Sequence, residues 1–308
     1  MTSTQLSKSS SASTETGEQA GNLSQTSPLE AEGGITLQVD GKEFHLGYSR
    51  VSKFMECPMA YKYTYVDGLR SPGGIPMRRG QAYHGTLEGL LNYKINRDGE
   101  HYPIEKTEKF AIKNARKEDL SDSEVARVVQ AARFYHSKMY ARHHPLAVEI
   151  AFDFEKDGIQ YTGRIDLVDR QEKKGKSLAV ILDHKFSYDT WALSRAKYGV
   201  QPIVYQWAWE EQLFEEFDGL EYGGFGYNII RLYPTPVIQE LLIKPCSQAA
   251  SDWWSKQVRA MAQCIQHGFF FAIPGEKKCE YCDHKKLCKP TIYSVKEARI
   301  GETNEDEE

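Results

Sequence analysis

The sequence has little of what would put it in a membrane, outside a reducing cell or on a nucleotide-driven motor. No apolar run approaches the roughly 18 residues a membrane helix needs; the longest, residues 269–273, is only core-sized. No charged-then-apolar leader opens the chain, so secretion is not expected and a cytoplasmic location is. Gly175-Lys176-Ser177 invites a phosphate-loop reading, but that motif needs a glycine five residues before Gly175, where Arg170 stands. An ATPase motor is thereby excluded, and any helicase has to be a separate protein. No internal repeat is visible. Charge of one sign is also scarce. The net charge is −4, and the acids of residues 1–33 and 301–308 account for it, leaving about +4 on residues 34–300. That balance is compatible with a nucleic-acid groove without requiring one.

What is present suits one large globular domain. The chain has 308 residues, 40% hydrophobic and 27% charged, enough to bury a substantial core. Residues 1–33 are rich in Ser, Thr, Gln and Gly and read as a disordered tail, because they cannot bury enough apolar surface to offset ordering entropy. Residues 301–308 read as an acidic tail. Between them, residues 34–300 form the expected domain. A hairpin is expected around Asp40-Gly41, then a helix over residues 48–65 with Ser49 or Ser52 as cap. Further helices are expected over 77–95 and 121–142, the latter with Ser121 and Glu124 in capping-box spacing. Strands follow over 147–154 and 159–168, joined at Asp157-Gly158, and over 178–186 after a polar turn. A helix near 200–217, strands over 225–232 and 237–244 split by Pro234, and a helix over 251–267 complete the pattern. Helices, then a mainly hairpin-linked sheet, then helices argue for an α+β fold.

Two strands look chemical. Gly163-Arg164-Ile165-Asp166 lies on one, and Val180-Ile181-Leu182-Asp183-His184-Lys185 on the next. Residues two apart share a strand face, so Asp183 and Lys185 point together, and the short turn makes the two strands antiparallel neighbours. Two acids and a lysine converge on one patch. Close carboxylates are costly unless a cation sits between them, and hard divalent ions prefer carboxylate oxygen. Such an ion with a nearby lysine suits phosphodiester hydrolysis. Alone, the D-x-K triplet reads first as a surface ion pair between Asp183 and Lys185, with Asp166 unrelated. Its company is His84 and Glu88, four apart on a helix, and Gln201 and Tyr205, also four apart.

In order, His84, Gly163–Asp166, Asp183–Lys185 and Gln201–Tyr205 resemble the RecB-like branch of the PD-(D/E)XK nuclease superfamily. The resemblance implies a restriction-endonuclease-like core, a central mixed sheet flanked by helices, cleaving DNA with Mg²⁺ or Mn²⁺. It implies His84, Asp166 and Asp183 as metal ligands, the His184 backbone carbonyl as a further ligand, and Lys185 as the catalytic lysine. Gln201 and Tyr205 would contact DNA or brace the site. Pro202 disfavours helical geometry at Gln201 unless the helix starts there.

Cys279, Cys282 and Cys288 crowd into ten residues, a spacing that points to metal rather than to disulfides. Cys57, in Phe54-Met55-Glu56-Cys57-Pro58 ahead of Tyr61 and Tyr63, is the natural fourth thiolate. The pattern is similar to AddB-like and CRISPR-associated RecB-like exonucleases, in which one early and three late cysteines hold a [4Fe–4S] cluster joining the N- and C-terminal helical segments. Zinc is the rival, with His284 as another fourth ligand. Cys246 and Cys264 read as small buried hydrophobes. Arg50, Lys53, Arg70, Arg78 and Arg79, interleaved with Tyr61, Tyr63 and Tyr65, are candidates for phosphate contact and base stacking. The expected activity is exonucleolytic cleavage of DNA ends or single strands in recombination, repair, viral DNA processing or CRISPR-type spacer handling, alongside a separate helicase or recombinase. The alternatives are a structure-selective endonuclease on the same site and a catalytically silent, cluster-bearing DNA-binding module.

Overall fold

The computed structural model describes residues 38–39, 42–43, 45–69, 73–97, 101–233 and 235–288. Both expected tails, Arg70 and Pro234 lie outside them. A two-stranded ribbon, β1 (Gln38–Val39) with β2 (Lys42–Glu43), forms where the first hairpin is expected.

The expected helix over residues 48–65 is broken. α1 (Tyr48–Glu56) ends at Cys57, which is extended, and α2 (Pro58–Tyr61) restarts at Pro58 before a π turn over Lys62–Val66. The proline ring denies helical geometry to the residue before it, so Cys57 is left at the corner. Gly47, not a serine, caps α1. α3 (Ile75–Asn96), α4 (Ile104–Lys117) and α5 (Asp122–Lys138) follow. The sequence reading missed α4. The capping box at Ser121 does not form: Ser121 makes no side-chain cap bond, and Glu124 pairs with Arg79 instead.

The sheet has five strands in sequential order: β3 (Pro145–Lys156), β4 (Ile159–Lys173), β5 (Lys176–Phe186), β6 (Glu221–Arg231) and β7 (Val237–Ile243). Neighbours are antiparallel except β5 and β6, which run parallel. A parallel pair requires a crossover. It is supplied by α6 (Leu193–Lys197) and by α7 (Gln201–Ala208), which continues through a π turn into α8 (Phe214–Glu216). α7 begins at Gln201 with Pro202 in its first turn, where a missing N–H costs nothing. The chain closes with α9 (Gln248–Gln266), capped by Ser247, and α10 (Glu276–Glu280).

β5 is apolar on both faces, and two cores result. Ala179 and Ile181 pack with Val51, Trp207 and Met261, while Val180 and Leu182 pack with Tyr83, Leu87 and Tyr135. Helices therefore cover both sides of a mixed sheet, an α+β arrangement consistent with the restriction-endonuclease-like fold. Among the described residues no helix is long and apolar enough to cross a membrane.

Gly163 is paired across the ladder with Phe152, whose buried ring lies over it. A Cβ at Gly163 would press into that ring. Gly163→Ala should cost about 1–3 kcal/mol through overpacking, read as a lower urea midpoint at unchanged slope; an unchanged midpoint would refute the account.

Candidate active site

The site opens where β4 and β5 part. Their ladder runs from Lys173↔Lys176 to Leu167↔Leu182 and stops. One step on, the His184 N–H donates to Asp166 Oδ2 (2.8 Å). A side-chain carboxylate thus takes a bond that a partner strand would have filled, and the strands splay around it.

Each acid is met from a different helical layer. His84 Nδ1, on α3, lies 3.3 Å from Asp166 Oδ2. From α7, Gln201 Nε2 donates to Asp183 Oδ1 (2.5 Å), while Lys185 Nζ sits 2.6 Å from Asp183 Oδ2. The Tyr205 hydroxyl donates to the Arg164 carbonyl (3.0 Å). Gln201 and Tyr205 are both buried. Of the two roles expected for them, contacting DNA or bracing the site, their positions suit bracing.

Glu149 is the residue that sequence reading missed. It lies on β3 between the pairs Val148↔Leu167 and Ile150↔Ile165, opposite Asp166. Its φ is 52°, a left-handed conformation rare for a non-glycine residue in a strand. Such a residue re-aims its side chain. His84, Glu149 and Asp166 each offer a ligand atom within 4.8 Å of the others, a constellation suited to a metal ion. Two carboxylates and an imidazole form a hard donor set appropriate to Mg²⁺ or Mn²⁺. Asp183, expected as a ligand, is not in that trio; its oxygens face Lys185 and Gln201.

The electrostatics describe a desolvated acidic crevice. Burial raises the Asp166 carboxyl, but His84 and Lys185 outweigh it and hold the group well below the usual carboxylate range. Burial and the charge of Asp166 raise Asp183 despite the pull of Lys185. Burial alone would lower His84 and Lys185; the carboxylates beside them raise both instead. Glu149 is pushed up to about 7, first by burial and then by Asp166. The His184 ring points the other way, edge-on to Tyr135 at 5.3 Å, and burial lowers it to about 3. Its imidazole is no ligand; only its backbone enters the site.

The compared proteins bear on this geometry. A family model of the PD-(D/E)XK nuclease superfamily matches residues 45–289. The chain belongs to the PD-(D/E)XK nuclease superfamily. No curated protein sequence matches it. Among solved structures, one from Eubacterium rectale described as a "Putative exonuclease" is similar at 11% identity and a TM-score of 0.49, over 82% of this chain and 91% of that one. Membership in a nuclease superfamily implies DNA as the substrate, and the typical ions of such nucleases, Mg²⁺ and Mn²⁺, are those the acidic trio suits.

Away from this nuclease site, Cys57, Cys279, Cys282 and Cys288 line one cavity of about 430 Å³ with Lys53, Tyr63 and His284. Among the described residues no three cysteine sulfurs lie within 4.8 Å of one another. His284 Nε2 is engaged with Thr64 Oγ1 (2.8 Å). Cys246 and Cys264 are half-buried against the main core, apart from the other four. Tyr61 and Arg79, expected on a DNA surface, are buried; Tyr63 lines the cysteine cavity.

Glu149 gives the site a pH signature. Its folded pKa exceeds its ordinary value of 4.5, so the native state holds an extra proton between about 4.5 and about 7. Metal-free protein should lose that component of stability as pH rises through this window. Glu149→Gln cannot ionise, so its urea midpoint should gain on wild type between about pH 5 and pH 8; a constant gap would refute the raised pKa.

Proposed function

We propose that this protein is a divalent-metal-dependent nuclease that hydrolyses DNA phosphodiesters, acting as an exonuclease on ends or single strands. The observation that carries the reading is the convergence of Asp166, Asp183 and Lys185, from two strands, beside the His84–Glu149–Asp166 trio. His84, Glu149 and Asp166 would hold the ion, with Asp183 and the His184 carbonyl completing its shell. A bound Mg²⁺ or Mn²⁺ supplies Lewis acidity to the scissile phosphate and lowers the pKa of water. Lys185, kept protonated by the two aspartates, holds positive charge where negative charge grows on the phosphate. Gln201 fixes the Asp183 carboxylate, and Tyr205 fixes the turn of β4 that carries Asp166.

The deciding experiment is cleavage of end-labelled linear and circular DNA, single- and double-stranded, with and without Mn²⁺. Linear substrates should shorten from their ends and circles should survive; cut circles would favour the endonuclease alternative. Asp183→Ala and Lys185→Ala should each lose about a hundredfold or more of cleavage while still binding DNA. Unchanged cleavage would remove the catalytic assignment, and inactivity of the wild type would favour a silent binding module. Glu149 must ionise to serve as a ligand, so Mn²⁺ affinity measured by calorimetry should fall as pH drops below about 7 in wild type.

We further propose that the four-cysteine cavity holds a [4Fe–4S] cluster. A single zinc draws its thiolates to within about 3.8 Å of one another, from a Zn–S bond of ~2.3 Å and tetrahedral angles. A cubane carries one thiolate on each of four irons and spreads them wider. The grouping of Cys57, Cys279, Cys282 and Cys288 around one cavity supports a four-thiolate group there, and the engagement of His284 Nε2 with Thr64 favours four cysteines over a zinc site completed by His284. Protein purified without oxygen should carry about four iron and four sulfide per chain, and Cys57→Ser should lose iron and melt earlier. Stoichiometric zinc without iron would reject the cluster.

A further inference from the structure

Beside the carboxylate crevice lies a second cavity, of about 530 Å³, between the α3–α5 layer and the ends of β5 and β6. Arg127, Gln130, Phe186, Tyr188, Leu232 and Tyr233 line it with Arg79, and its described walls hold two arginines and no acid. Its size falls in the ordinary range of small-ligand pockets, about 300–1,000 Å³.

The walls are built rather than incidental. Arg79 is 1% exposed. Its guanidinium donates to Glu124 (2.9 Å) and to the Tyr188 hydroxyl (3.0 Å). The same group lies against the Phe186 ring at 4.7 Å and the Tyr188 ring at 4.5 Å. Arg79 is thus committed to holding Tyr188, not to reaching a phosphate. Tyr188, anchored from below, is still 55% exposed, and Tyr233 across the cavity is 81% exposed. Large aromatic rings kept at the surface at such cost in apolar exposure suit a flat partner with a π-face. Arg127, half-exposed on α5 with its Nε 3.7 Å from the Glu124 carboxylate, supplies a cation at the same wall.

The distance to the cleavage centre is short. Tyr188 follows Lys185 by three residues, at most about 11 Å of extended chain. Arg79 precedes His84 by five on α3, about 7.5 Å along the helix axis. Stacked nucleotides advance about 3.4 Å each along a strand. The cavity therefore lies within about three nucleotides of a phosphate held at Asp166. A base inside a duplex has both faces covered by its neighbours, so only an unpaired or terminal base could enter.

We propose that this cavity is a stacking subsite for one unpaired nucleobase of the strand being cut, with Tyr188 and Tyr233 presenting ring faces and Arg127 the adjacent phosphate contact. The proposal rests on the nuclease reading above and adds to it a place where an unpaired base of that substrate is held.

The test is equilibrium binding by fluorescence anisotropy, using the full chain in metal-free buffer, with a labelled oligo-dT strand and a blunt duplex. Tyr188→Ala and Tyr233→Ala should each weaken single-strand binding about tenfold and change duplex binding by less than about twofold. Tyr188→Trp should keep or tighten it. Tyr233 is so exposed that its loss cannot plausibly unfold the domain, and melting curves check Tyr188→Ala. Arg127→Gln should weaken binding and flatten its salt dependence. Single-strand affinity unchanged in both alanine variants, or an equal loss on the duplex, would overturn the subsite while leaving the nuclease reading in place. A wild type that binds neither DNA, in metal-free buffer or with Ca²⁺ in place of Mg²⁺, would overturn both.

Discussion

The structure is organised around buried carboxylates that have to be compensated where they lie. Asp166 and Asp183 sit in a desolvated crevice, and an unpaired charge there would cost several kcal/mol. Each is met from two sides: Asp166 by the His184 N–H and the His84 imidazole, Asp183 by the Gln201 amide and the Lys185 ammonium. These partners come from β5, α3 and α7, so all three layers are tied to one point. The early end of the β4–β5 ladder follows from the same constraint, because a strand edge has given one of its bonds to a side chain. Glu149 joins them with its pKa raised first by burial and then by the charge of Asp166. A hard divalent ion is the group whose charge and ligand preference suit these oxygens.

The ends of the domain are joined by direct protein contacts. The Met59 N–H donates to the Phe271 carbonyl, the Lys278 ammonium to the Glu56 carbonyl, and Thr64 meets His284. Phe54 and Tyr61 pack on Phe270. Cys57 and the late cysteines thus face one cavity because the polypeptide has already brought its ends together. A group bound there would lock that closure rather than create it, lowering the entropy of a very long unfolded loop. The carboxylate crevice and this clasp are separate in chemistry, hard oxygen donors in one and soft sulfur in the other.

Much of the site was legible because strand periodicity is simple. Asp183 and Lys185 share a face by a period of two, and the short turn at Lys174-Gly175 brings Asp166 alongside. Helical spacing likewise carried Gln201 and Tyr205 to one side of α7. Glu149 was hidden, since Val148-Glu149-Ile150 reads as an ordinary alternating strand and only its left-handed backbone swings the carboxylate inward. Arg79 and Tyr61 misled in the opposite sense. Cation and aromatic residues near a helix start look like a nucleic-acid surface until packing buries them, whereas Tyr188 and Tyr233, which stay exposed, stood in segments without pattern.

By itself the sequence determined the strand order of the chemical residues, the pairing of neighbouring hairpins and the cysteine spacing, all properties that local geometry and short connections dictate. Tertiary structure decided which charges became buried, which acid bent toward Asp166, where Glu124 found its partner and how far apart the thiols stand. Those outcomes depend on contacts between α3, α5, α7 and the sheet, elements far apart along the chain, and no local propensity encodes the desolvation that such contacts impose.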